Sequence, residues 1–183
     1  TGVQTCALPI WGNSRVLLIS TDRNIFHEGS AVYTRMEWYE ALFDELHIIV
    51  FTLQKDGYTP LRIGEHVWVY PTNSRSRWLY GYDAYHIARN KFLSPDGRVD
   101  VVSTQDPFES GLLGYVIARR SHCALHIQLH TDPFSPYFTL GDSKNMWRMF
   151  IAQFVLPKAD RVRVVSESLR QKVEERYNTI KGK

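Results

Sequence analysis

A chain of 183 residues, 44% hydrophobic and 13% aromatic, can bury a substantial core, and its 22% charged content is that of a folded globular domain rather than a disordered tail. Its 22 basic and 19 acidic residues leave a net charge of only +3, which argues against a nucleic-acid groove while staying compatible with contact to an anionic membrane surface. Two cysteines, Cys6 and Cys123, lie far apart and lack metal-site spacing, so neither a disulfide framework nor a zinc site is expected.

Cys123 reads as a small core residue. No apolar run approaches the ~20 residues that cross a bilayer, and the N-terminus lacks the basic flank and apolar core of a secretory signal, so a cytoplasmic location is expected. The opening stretch Thr1 to Ile10 fits no element that follows. Residues 1–12 are therefore set aside as an artefactual or disordered leader, and 13–183 are taken as one domain.

Arg15 to Ser20 is a short apolar run of the kind that forms a central parallel strand. After a polar loop, Val32, Met36, Tyr39, Phe43 and Leu46 recur at spacings of four, three, four and three, which predicts one helical face. Ser30 is placed to cap that helix, and Gly29 to let a ligand approach its first amides. His47 to Thr52 and His66 to Tyr70 read as further strands, separated by turn signals at Gly57, Pro60 and Gly64. From Ser74 to Phe92 a helical period returns, with Arg75, Arg77, Arg89 and Lys91 read as a solvated face, and Ser94 to Gly97 ends it.

Asp100 to Gln105 predicts the next strand. The helix after it is expected to open on Asp106 as cap, Pro107 as first residue and Glu109 as the partner of a capping box. Gly111 and Gly114 weaken that helix unless they pack closely on the sheet. Ala124 to Asp132 is a strand of Leu125, Ile127 and Leu129 running out into the polar tip His130, Thr131 and Asp132, stopped by Pro133. Lys144 to Leu156 carries apolar residues around most of its circumference and is expected to be a largely buried helix, a membrane-facing aromatic side being the lesser reading. Ala159 to Ser166 supplies a last strand, and Ser166 caps a final helix with Leu169, Val173 and Tyr177 inward. Alternation of this kind implies an α/β fold with a right-handed, doubly wound, mostly parallel sheet of about six strands.

In such a sheet the strand exits share one rim, and ligands bind there. Thr21, Asp22, Thr72, Asn73, Asp106, His130, Thr131, Asp132 and Ser166 all fall on it. His126 and His130, four residues apart on a strand, stand ~13 Å apart and cannot share a metal ion. His126 reads as a hydrogen-bonded core histidine, and His130 as a residue of the cleft. There is no G-x-G-x-x-G, no P-loop and no G-x-S-x-G elbow, which argues against a dehydrogenase, a P-loop enzyme and an α/β-hydrolase.

The ordered set Arg15 to Ser20, Glu28-Gly29-Ser30, Gly111 to Arg120, His130-Thr131-Asp132-Pro133 and Ala159-Asp-Arg-Val-Arg-Val-Val-Ser-Glu-Ser-Leu169 resembles the N-terminal domain of family 4 glycosyltransferases of the GT-B fold. That resemblance implies a Rossmann-like, acceptor-side domain of a retaining enzyme. Such an enzyme moves a sugar from a nucleotide-sugar donor to a glycan, lipid or small-molecule acceptor, with no metal and no cofactor beyond that co-substrate. It implies His130 as the catalytic residue facing the donor sugar, and Gly29, Ser30 and Glu28 as the loop at the donor phosphates and acceptor. Asp132, Asp106 and Thr131 become acceptor or cleft candidates. Complete members carry a second, donor-binding domain, so the chain alone is expected to transfer no sugar at a useful rate. The rival readings are a GT-B-fold nucleotide-sugar epimerase and a noncatalytic ligand-binding or regulatory module such as a receiver domain, for which Asp22 is isolated and Asp106 committed to capping.

Overall fold

The computed structural model describes residues 14–93, 97–135, 138 and 142–177, so the leader and the punctuation at Ser94, Pro95 and Asp96 lie outside the described residues. At the centre is β1 (Arg15–Ser20), whose Leu17 and Ile19 are wholly buried. Strands β2 (Glu45–Val50), β3 (Leu61–Ile63), β4 (Val67–Pro71), β5 (Val101–Thr104), β6 (Ala124–Leu129) and β7 (Arg161–Val164) complete a seven-stranded sheet in the order β3-β4-β2-β1-β5-β6-β7. Every neighbouring pair is parallel except β3 with β4. Strand order reverses on leaving β1, with β2 on one side and β5 on the other, which makes the exits of β1 and β5 a topological switch point.

Helix α1 (Ala31–Glu40) covers one face of the β1, β2 and β4 half through Met36, against Val16, Leu18, Ile48 and Val50. The opposite face is covered by α2 (Tyr80–Phe92), α3 (Glu109–Ser121), α4 (Ser143–Val155) and α5 (Glu167–Arg176). Burial on both faces explains why β1 and the Ile48 to Val50 part of β2 are unbroken apolar runs, whereas β6 alternates Leu125, Ile127 and Leu129 with His126 and Gln128. The register Leu18↔Ser103↔His126↔Arg161, with Gln128↔Arg163, continues the α1 face across β5, β6 and β7 with polar side chains.

Several expectations shift. The sheet has one strand more than the apolar runs suggest, because β3 is a three-residue antiparallel edge strand. Helix α1 stops at Glu40, leaving Phe43 in a loop and Leu46 on β2. Both still pack into the core under α1, so a helical spacing persists past the end of the helix. Helix α3 begins at Glu109, not at Pro107: Asp106 Oδ1 accepts from Phe108 N at 2.8 Å, and this turn precedes the helix instead of capping its first residue. Glu109 pairs with Arg148 at 2.9 Å and forms no capping box. Helix α3 approaches the sheet closely at Gly114, where a Cβ would run into Thr104 Cγ2 on β5. Finally, α4 is not largely buried, since Met146, Trp147, Phe150 and Phe154 all lie in solvent.

Candidate functional site

Strand β1 exits through Ser20, which is buried and donates from Oγ to Gln105 Oε1 at 2.9 Å. The same Gln105 oxygen accepts from Thr21 N at 3.3 Å, so one side chain ties the two strand exits at the switch point. Asp22 caps a short helical turn by accepting from Asn24 N at 3.0 Å. Arg23 is held as a strut, donating to Phe51 O at 3.2 Å and to the Tyr80 hydroxyl at 2.9 Å.

The loop then exposes His27, Glu28 and Gly29. Gly29 has φ +78°, a conformation that suits glycine and lets the chain turn sharply into α1. Ser30 Oγ accepts from Tyr33 N at 3.1 Å and donates to Asn24 O at 2.7 Å, so its hydroxyl shapes the loop and caps the helix. The positive end of α1 therefore faces the loop, a physical basis for holding an anion there.

Across the crevice, the polar side chains of β5 and β6 form a directed chain. His126 is 7% exposed, and burial, aided by the Arg163 charge, pushes its pKa down to about 4, so the ring is neutral at pH 7. A neutral ring lets Nδ1 accept from Ser103 Oγ at 2.9 Å, and Ser103 Oγ in turn accepts from Gln128 Nε2 at 3.4 Å. The Gln128 carbonyl oxygen is then left to accept from His130 Nε2 at 3.3 Å. This sequence of donors and acceptors puts the His130 proton on Nε2 and leaves the Nδ1 lone pair unprotonated.

His130 itself is exposed at the end of β6. Partial burial, then the charges of Arg163 and Arg35, depress its pKa, while Asp106 opposes them. The charges that His130 feels therefore come from three elements: Arg163 on β7, Arg35 on α1 and Asp106 at the β5 exit. Asp106 is held above its ordinary pKa chiefly by burial, against the hydrogen bonds from Phe108 N and Ser110.

Asp132 does not pair with His130. Its Oδ1 accepts from Phe134 N at 2.9 Å and its Oδ2 from Lys172 Nζ on α5 at 2.6 Å. Burial alone would raise this carboxyl, but the Lys172 and Phe134 hydrogen bonds outweigh it and hold the pKa below the usual value. Asp132 is thus anchored to the fold, and Thr131 is exposed beside it. Gln105, Gln128, Arg35 and Arg163 were missed by sequence reasoning. The only available signal was the period-2 alternation that puts Gln128 on the His126 and His130 face of β6.

Beyond β1, the exits of β2 and β4 are joined by Thr72 Oγ1, which accepts from Thr52 N at 2.9 Å and donates to Thr52 O at 3.0 Å. Asn73 N donates to Thr52 Oγ1 at 2.9 Å, and a cavity of about 380 Å³ opens there between Gln54, Asn73, Arg75, Tyr82 and Asp83. A larger cavity of about 420 Å³, lined by Arg98, Arg120 and Cys123, lies at the entry ends of β5 and β6 and has no part in the rim. Among the described residues no cluster of three or more histidine, cysteine or carboxylate side chains could hold a metal ion, and no helix is long and apolar enough to cross a membrane.

A mostly parallel, doubly wound sheet with its polar groups gathered at the strand exits defines a Rossmann-like α/β domain of the kind that forms half of a GT-B fold. The sequence profile of Glycosyltransferase Family 4 matches residues 32–183, and the chain belongs to that family. No curated protein sequence matches it. Among solved structures it is similar to "UDP-GlcNAc 2-epimerase from Methanocaldococcus jannaschii", with a TM-score of 0.56 and 12% identity. The likeness covers 88% of this chain but only 42% of that one, so the chain spans less than half the length of the structure it matches.

Proposed function

We propose that this domain is the acceptor-side half of a retaining glycosyltransferase that moves a sugar from a nucleotide-sugar donor to a glycan, lipid or small-molecule acceptor. Family membership supports the reaction class. The observation that carries the assignment of roles is the His130 rim. Burial and the Arg163 and Arg35 charges lower the pKa of the ring, which favours its neutral form, and Nε2 is engaged by the Gln128 carbonyl oxygen. Its Nδ1 lone pair is then free to accept a hydrogen bond from a hydroxyl of the donor sugar, in a crevice where Arg35 and Arg163 supply positive charge. The Glu28-Gly29-Ser30 loop brings the α1 N-terminus to the same crevice, where amide dipoles stabilise the diphosphate that develops as the sugar leaves. Asp106 and Thr131 border the acceptor, Asp132 holds their loop through Lys172, and the reaction uses no metal or further cofactor.

The test is His130→Ala in a polypeptide carrying both walls of the cleft, assayed by transfer from a radiolabelled nucleotide sugar. Transfer falls roughly a hundredfold with the denaturation midpoint unchanged; an unchanged rate refutes the role. The structural neighbour favours a second reading, a nucleotide-sugar epimerase of the same fold. Inversion of the donor sugar without any acceptor would select it.

A further inference from the structure

Helix α4 presents an apolar stripe that the fold does not use. Ala152 and Val155 are fully buried, with Val155 packed against Gly111 of α3, whereas Met146 (48% exposed), Trp147 (73%), Phe150 (52%) and Phe154 (48%) lie in solvent. Positions 147, 150 and 154 are three and four residues apart and share one side of the helix. The stripe continues onto α3 through Tyr115, whose ring meets Phe154 edge-on at 5.7 Å, and Leu112 one turn earlier. Trp38, Trp78 and Tyr82 are exposed elsewhere on the protein, but the α4 stripe joins four apolar side chains of one helix to Tyr115 and Leu112 of the next, and a contiguous apolar surface of this kind marks an interaction surface.

Charge decides what it meets. From Ser143 to Ala159 there is no acidic residue, and from Ser110 to Ala124 there is none on the adjoining helix and turn. Lys144 flanks one end of the stripe, Arg119 and Lys158 the other, and Lys158 Nζ sits 3.7 Å from the Phe154 ring centroid. The acidic residues at the edges are already engaged: Asp142 accepts from Lys144 N, Asp160 from Leu125 N, and Glu109 from Arg148. An isologous contact between two copies would oppose like charges around an apolar centre. An anionic interface satisfies both, because tryptophan and phenylalanine enter the headgroup boundary while lysine and arginine remain at its charged edge.

We propose that the Trp147, Phe150 and Phe154 face of α4 docks this domain peripherally on an anionic phospholipid surface. The docking does not depend on sugar transfer. The test is co-sedimentation of the full chain with vesicles of phosphatidylcholine alone and of equal parts phosphatidylcholine and phosphatidylglycerol. Partition is about tenfold or more stronger on the anionic vesicles and falls as salt rises. The double substitution Trp147→Ser, Phe150→Ser removes only solvent-exposed side chains, so the circular dichroism spectrum is retained while partition drops about tenfold or more. Trp38→Ser, on α1 across the sheet and also exposed at 76%, leaves partition unchanged. Absence of binding to anionic vesicles, binding that the double variant leaves intact, or equal loss in Trp38→Ser overturns the proposal. So does a concentration-dependent dimer that the double variant abolishes in a protein that binds no vesicle, since the face would then join two copies of the chain.

Discussion

Replacing His126 by asparagine tests how the β5 and β6 polar chain is held. Asparagine offers an oxygen near the place of Nδ1, so Ser103 keeps an acceptor while the titrating ring disappears. In the folded protein burial holds His126 at about 4, against an ordinary 6.5. At ~1.4 kcal/mol per pH unit, that difference is worth roughly 3 kcal/mol. The sign follows from proton uptake: between pH 6.5 and about 4 the unfolded chain binds a proton that the native ring refuses. Stability is therefore full above pH 6.5, falls as pH drops through this window, and levels off below about 4. His47 and His130 are also depressed and act in the same direction, while Asp106, raised by burial, acts in the opposite one. Wild type minus His126→Asn isolates the single group. Urea midpoints across the acid range should show the two proteins converging, the wild type losing roughly 3 kcal/mol more than the variant. A difference that stays constant with pH would refute the buried, neutral reading of His126, and with it the inferred direction of the chain that ends on His130.

Gly114→Ala drives a methyl into Thr104 Cγ2 on the wholly buried face of β5, an overpacking cost of ~3 kcal/mol that exceeds the ~1 kcal/mol gain in helix propensity. Thr104→Ser removes the opposing methyl, keeps the hydroxyl that donates to Asp106 O at 3.0 Å, and should rescue the variant in a double-mutant cycle on denaturation midpoints. Gln128→Glu sets a carboxylate against His130 Nε2. The His130 titration followed by NMR should move to higher pH, and an unmoved midpoint would show that the two do not touch. The Cys123 thiol, raised to about 11 by burial, should alkylate at pH 8 far more slowly than a free thiol, measured by iodoacetamide incorporation.

Much of this molecule is legible from residue order alone. β1, β2 and β4 announce themselves as apolar runs, because a doubly covered strand needs both faces apolar and that demand is local, while β6 and β7 show themselves by alternation of apolar with polar residues. Ser30 and Ser166 are recognisable as caps for the same reason: the hydroxyl serves an amide three residues on, and their bonds to Tyr33 N and Leu169 N are the ones expected. His130 could be placed at a strand exit, and the parallel alternation put that exit on the same rim of the sheet as the other strand exits.

What the linear pattern lacks is any measure of what lies opposite a side chain. The aromatic residues of α4 repeat helically, but only its packing against α3 decides that Ala152 and Val155 are covered while Trp147 and Phe150 are not. Asp132 and Lys172 are forty residues apart in sequence and meet only because α5 packs beside the β6 exit. Arg163 reaches the His130 rim through the β6 and β7 register, and Arg35 through the packing of α1 on β1. Local hydrogen bonding and hydrophobic period therefore determined the elements and the rim in advance. The partners of each rim side chain, and hence the charge state of His126 and His130, were decided by the tertiary structure, because burial and electrostatic neighbours are properties of the packed chain.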